Sequence, residues 1–150
     1  MLKLSRKTLL ALEAVIDIAF NARPEPVQAK EITARQGVPQ RYLEQVMQQL
    51  VRAGVLKGVR GPRGGYRLAK ERRRITVGDI VRVAEALEDE ENGNGDARSD
   101  LGSRIVTPLI QSLQEDVMKR LDAVSIEDLC LRARQAGVDC GGNAGVDFTI

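Results

Sequence analysis

The chain has 150 residues, 43% hydrophobic but only 3% aromatic, and no histidine; this allows one domain with an aliphatic core, or one domain plus an appended arm, and removes the commonest general base and metal ligand. Two cysteines, Cys130 and Cys140, do not make a secreted disulfide framework, no apolar run reaches the roughly 18 residues of a membrane span, and no signal-peptide cleavage site is present, so a cytoplasmic protein with no membrane attachment is expected. The net charge of +2 conceals a division, because residues 1–75 hold 16 Lys and Arg against 6 Asp and Glu whereas residues 76–150 hold 7 against 15; a polyanion such as nucleic acid is the expected partner of the first half.

Ser5 suits the cap of a helix over residues 6–21, apolar around much of its girth through Leu9, Leu12, Val15, Ile16, Ala19 and Phe20, and therefore expected to be central. Pro24 and Pro26 end it and open a linker. A short helix over 28–36 is stopped by Gly37, and Pro39 suits the first turn of a third helix over 39–53, ended by Gly54. Leu43, Val46, Met47 and Leu50 fall at i, i+3, i+4 and i+7, giving that helix one apolar stripe. Its other face carries Gln40, Arg41, Glu44, Gln45, Gln48, Gln49 and Arg52. Helix, short turn with glycine, helix is the spacing of a helix-turn-helix, and Gln and Arg can make paired hydrogen bonds to base edges. The same segment also fits an ordinary helical hairpin with a solvated polar face.

The next stretch favours the first reading. Residues 55–59 and 66–68 read as two short strands around the turn Arg60, Gly61, Pro62, Arg63, Gly64, Gly65, with Tyr66 opening the second strand. A hairpin directly after a helix-turn-helix is a wing. Glycines let backbone amides approach a phosphate, proline stiffens the tip, and arginine held there can enter a narrow minor groove. A nucleotide-binding loop is a poor fit, since no Gly-Lys-Ser/Thr follows. The basic run at 70–74 reads mainly as solvated charge. Thr76 with Asp79 forms a capping-box pattern opening a helix over 77–87.

These residues resemble a known family. The stretch GVPQRYLEQVMQQLVRAGVLKGVRGPRGGYRL, followed by ITVGDIVRVAE, is similar to the Rrf-two family of bacterial winged-helix regulators, the IscR, NsrR and CymR group. The resemblance covers residues 1–88 closely and 100–130 in outline. It implies a homodimeric DNA-binding transcription regulator, with Arg41, Tyr42, Glu44 and Gln45 at the major groove and Arg60 and its neighbours as the minor-groove wing. Glu44 would act partly by exclusion, since a carboxylate accepts only from cytosine N4. Cluster-binding members carry three cysteines in the loop after the fourth helix. Here those positions fall near Asn92, Arg98 and Arg104, which offer no thiolate, so no iron–sulfur cluster or other cofactor is expected.

That acidic, glycine-rich loop should be mobile. Beyond it a helix over 101–124 carries Ile105, Leu109, Leu113, Val117 and Leu121 in a wide apolar stripe, and Pro108 must either kink it or mark its true start. A long amphipathic helix outside a compact winged unit needs a partner, and the resemblance agrees that this is the dimerisation helix. A last helix is expected over 126–134. Cys130 and Cys140 read as a small buried apolar residue and an incidental thiol, or alternatively as redox thiols.

The expected fold is mainly α with a small β-hairpin: a winged helix-turn-helix domain over 1–88, a flexible loop over 89–99, a dimerisation helix region over 100–134 and a flexible tail over 135–150. The expected function is sequence-specific binding of double-stranded DNA by a homodimeric repressor, answering to an effector that the sequence does not name. The alternative is a winged-helix protein-interaction module regulated by a partner protein. No enzyme is expected, since only a lone Cys or Ser nucleophile is available.

Overall fold

The structure, a computed structural model, describes residues 4–21, 24–92 and 99–138. Six α-helices and one β-hairpin make up these segments: α1 (Arg6–Phe20), α2 (Ala29–Gln36), α3 (Gln40–Arg52), β1 (Leu56–Val59), β2 (Gly65–Leu68), α4 (Val77–Asn92), α5 (Thr107–Asp122) and α6 (Ile126–Gln135). The Ser5 hydroxyl accepts from the Thr8 amide and starts α1. Gly37 ends α2 in the left-handed conformation (φ 68°) that glycine adopts without strain. Thr76 and Asp79 exchange the two bonds of the capping box that opens α4.

Helix α1 runs through the middle of the fold, packed on its neighbours by Ala11, Ala14, Val15, Ile18 and Ala19. The expected apolar girth needs correcting: Leu9 is 47% exposed. The alanines face inward because their small side chains let neighbouring helix backbones approach closely. Leu43, Val46, Met47 and Leu50 of α3 are fully buried against this surface, as their spacing predicts. Ile80, Val81 and Ala84 of α4 lie in the same interior.

The hairpin pairs Leu56 with Leu68 and Val59 with Gly65 in antiparallel register. The linker after α1 adds an edge that the sequence did not suggest. Val27 and Tyr66 exchange two backbone bonds of 2.9 and 2.8 Å, so the wing is held on its linker side as well as by β1.

Two further expectations change. Helix α4 continues to Asn92, well past Leu87, because Glu88, Asp89, Glu90 and Glu91 include good helix formers and no breaker precedes Gly93. The loop expected from residue 89 is therefore helical at its start; residues 93–98, including Arg98, lie outside the described segments, as does the tail from 139 with Cys140. Pro108 lies in the first turn of α5 and so marks the start of its regular α-helical part, one of the two outcomes expected of it. A π-turn at Gly102–Val106, with the Thr107 amide bonded to the Gly102 carbonyl five residues back, leads directly into α5. The wider turn accommodates a ring that would otherwise press on the preceding turn. Finally, α6 folds back on α1, and its Ile126 and Cys130 belong to the winged core rather than to a separate helical region.

Candidate nucleic-acid interface

The α3 face opposite the core is exposed at Gln40, Arg41, Glu44, Gln45, Gln48 and Arg52. Arg41, Gln45, Gln48 and Arg52 follow one another at steps of four, three and four, a single strip along the helix. Gln40 Nε2 donates to Glu44 Oε1 at 3.1 Å, which fixes the carboxylate at the start of that strip. Gln48, Arg52, Gly58, Arg60, Gly64 and Tyr66 all line one open groove of about 730 Å³ between α3 and the hairpin. Helix face and wing thus border a common concavity.

Individual side chains divide into those presented outward and those that hold the frame. Arg60, Pro62 and Arg63 are exposed at the hairpin tip. Tyr42 is half-buried, its hydroxyl donating to the Lys7 carbonyl at 2.5 Å with the Lys7 ammonium over its ring. It joins the start of α3 to the start of α1. Gln49 is also half-buried and borders the groove between α3 and α4, beside Val83 and Leu87, instead of the wing groove. Arg67 donates to the Pro24 carbonyl at 2.6 Å and braces the linker.

The wing glycines have reasons inside the chain. Gly61 has φ 111°, open to glycine and strained for other residues. A Cβ on Gly64 would lie 2.2 Å from the Val59 carbonyl oxygen, and one on Gly65 2.4 Å from that of Val27. Both contacts are too close for any side chain. The Gly64 amide itself closes the turn on the Gly61 carbonyl at 2.9 Å. Tyr66 lies on the groove wall; burial, and then the Glu44 charge, push its phenol up, so it remains a neutral donor.

Gln48 and Arg52 belong to the polar face read from the sequence but not to the contacts that the family resemblance implies; their helical spacing from Arg41 and Gln45 places them on the same strip. Asp17 carried no signal in the sequence. Its carboxylate is fully buried and takes a two-pronged bond from Arg35, Nε to Oδ2 at 2.9 Å and Nη2 to Oδ1 at 2.7 Å, plus Gln36 Nε2 at 2.8 Å. This clamp fixes α2 on α1 and so sets the angle at which α3 is presented.

Further from the groove, Arg82 and Asp122 form a forked pair joining α4 to the end of α5; the guanidinium holds the Asp122 carboxyl below its usual range. Leu101, Ile105, Leu109, Leu113 and Val117 stand on one side of the long helix, between 37% and 69% exposed, and Leu121 is partly covered. No helix of the described residues is long and apolar enough to cross a membrane. Cys130 is buried, and burial pushes its thiol up against the opposing influence of Arg72.

Against this geometry, the family model named Rrf2, an iron-dependent transcriptional regulator, matches residues 4–132. The HTH-type transcriptional regulator IscR of Aliivibrio salmonicida strain LFI1238 is 34% identical over 129 residues, spanning 85% of this chain and 77% of that protein. Among solved structures, T. potens IscR superposes with a TM-score of 0.70 at 33% identity, covering 91% of this chain and 92% of its own. CymR, the global cysteine regulator of B. subtilis, gives 0.65 at 32% identity, with coverage of 88% and 98%. The family's description names iron, and the positions expected to match its cluster ligands hold no cysteine in this chain. The only cysteines are 130 and 140, the first buried in the core, and Arg104, one of the positions expected to match a cluster ligand, carries a guanidinium on the π-turn.

Proposed function

The chain belongs to the Rrf2 family of transcriptional regulators, and from that premise we propose that it is a homodimeric repressor that lays α3 in a major groove and the Arg60–Arg63 tip in the neighbouring minor groove of each half of a two-fold operator. One observation supports this reading above the others: Gln48 and Arg52, which continue the α3 strip begun by Arg41 and Gln45, border the same groove as Arg60 of the wing. Arg41 and Gln45 read base edges, Arg60 and Arg63 occupy the minor groove, and Gln48 and Arg52 extend the strip toward the wing. Tyr42, with its hydroxyl bonded inside the protein, positions the start of α3 instead of reading bases. Gln40 and Glu44 form a polar pair whose carboxylate rejects acceptor edges.

The second copy covers the apolar side of α5 through Ile105, Leu109, Leu113, Val117 and Leu121, an arrangement supported by the exposure of the first four. Regulation in the cytoplasm proceeds without a cluster in the loop after α4, through an effector molecule or partner protein. The experiment is selection of duplexes from a random pool by the purified full chain. A two-fold motif with half-sites about one helical turn apart is expected. Recovery of unrelated sequences, at an affinity independent of sequence, overturns the proposal.

A further inference from the structure

The junction between α4 and α5 is built more tightly than a simple connection requires. Gly78, in the first turn of α4, sits directly on the Asp122 side chain: a Cβ there would lie 1.9 Å from Oδ1 and 2.9 Å from Cγ. One turn further on, Arg82 grips both oxygens of the same carboxylate, Nη1 to Oδ1 at 2.8 Å and Nη2 to Oδ2 at 2.5 Å. Two backbone bonds run alongside, from the Val77 amide to the Val124 carbonyl at 2.9 Å and from the Ile126 amide to the Ile75 carbonyl at 2.8 Å. The C-terminal end of α5 is thereby held against the N-terminal turn of α4, while the apolar residues toward the other end, Leu101, Ile105 and Leu109, are the most exposed of the stripe.

This makes the long helix a lever fixed at one end. From Asp100 to Asp122 it extends about 30 Å. A 10° change at the fixed end displaces the far end by about 5 Å, more than one base-pair step of about 3.4 Å. Helix α4 in turn packs on α3, so the same joint relates the groove-facing strip to the apolar stripe. A forked guanidinium–carboxylate pair suits such a joint because its two parallel bonds define direction as well as distance. A glycine beneath it removes the slack.

We propose that Arg82, Asp122 and Gly78 are positioning residues that set the distance between the two DNA-reading surfaces of the dimer, and so decide which half-site spacing the regulator accepts. This rests on the dimeric DNA-binding reading above. Arg82 and Asp122 are each more than a third exposed, so replacing either disturbs the fold little. Their contribution lies in geometry.

The test uses the full chain and two variants that each remove one charge of the pair, Asp122→Asn and Arg82→Gln, with a thermal melt of each as a control for folding. The probes are the duplex selected by the wild type, the same duplex with its half-sites moved one or two base pairs closer or further apart, and a single half-site. For both variants we expect unchanged half-site binding, a five-fold or greater loss on the selected duplex, and a flattened preference among spacings. Wild-type affinity with an equally sharp spacing profile in both variants overturns the inference while leaving the DNA-binding reading intact. A wild type that gains nothing from the second half-site overturns the dimer, and one that binds no duplex overturns the reading on which both stand.

Discussion

At the scale of single residues, the groove separates side chains that are presented from side chains that are used up. Arg60 is presented. It extends from a tip whose backbone is fixed by the Gly61 conformation, the Gly64–Gly61 bond and the close seat of Gly65 on Val27. Little tip entropy remains to be lost on docking, and Arg60→Ala is expected to weaken operator binding by ~1–3 kcal/mol, the scale of one specific contact, with folding unchanged. Equal affinity at matched salt would remove the wing from the interface. Asp17 is used up entirely. Truncation of one partner in a buried pair leaves the other charge without compensation, so Asp17→Ala is expected to lower folding stability by about 3–5 kcal/mol. Urea unfolding measures this, and a loss near zero would mean that Arg35 finds water as good a partner. Arg67 and Tyr42 resemble exposed polar contacts in the sequence, yet each spends a donor on a backbone carbonyl, of Pro24 and Lys7 respectively. No local pattern signals a bond between residues more than thirty positions apart.

At the scale of elements, periodicity and capping were legible and distance was not. The α3 stripe, the Ser5 cap and the Thr76–Asp79 box follow from neighbours within seven residues, which is the range over which helix physics acts. The Val27 edge of the wing, the return of α6 to the core and the Asp17 clamp depend on contacts that only the assembled fold creates. Helix α5 shows both sides of this: its apolar stripe is readable, but the π-turn that precedes Pro108 is not. Because that stripe is exposed, Leu109→Glu is expected to convert a dimer to a folded monomer in sedimentation velocity; a dimer that persists would mean another surface joins the copies. The α5–α6 junction carries a pH dependence as well. The Asp122 carboxyl is held low by Arg82, and that of Asp128 by the Ser125 amide and hydroxyl. Groups depressed in the folded state contribute above their ordinary value of 3.8 and lose that contribution as pH falls through the lower folded value. Urea midpoints should therefore hold steady on this account from neutral pH down to about 4 and fall below it, with the acid limb shallower in Asp122→Asn and Asp128→Asn. An unchanged acid limb in both would show that the junction does not contribute.

At the scale of the whole molecule, charge and shape agree. The excess of cations lies in residues 1–75, which build the helix-turn-helix and the wing, and the excess of anions lies in the part that carries the apolar helix. A protein divided in this way approaches a polyanion with its winged side first and keeps its other side away. The central claim is that α3 and the hairpin grip two adjacent grooves at once. Methylation interference on the selected duplex tests it most directly, because dimethyl sulfate marks guanine N7 in the major groove and adenine N3 in the minor groove. Two blocks of N7 interference, each flanked by N3 interference that disappears in Arg60→Ala, is the predicted pattern; tight binding with interference confined to one groove would contradict the account.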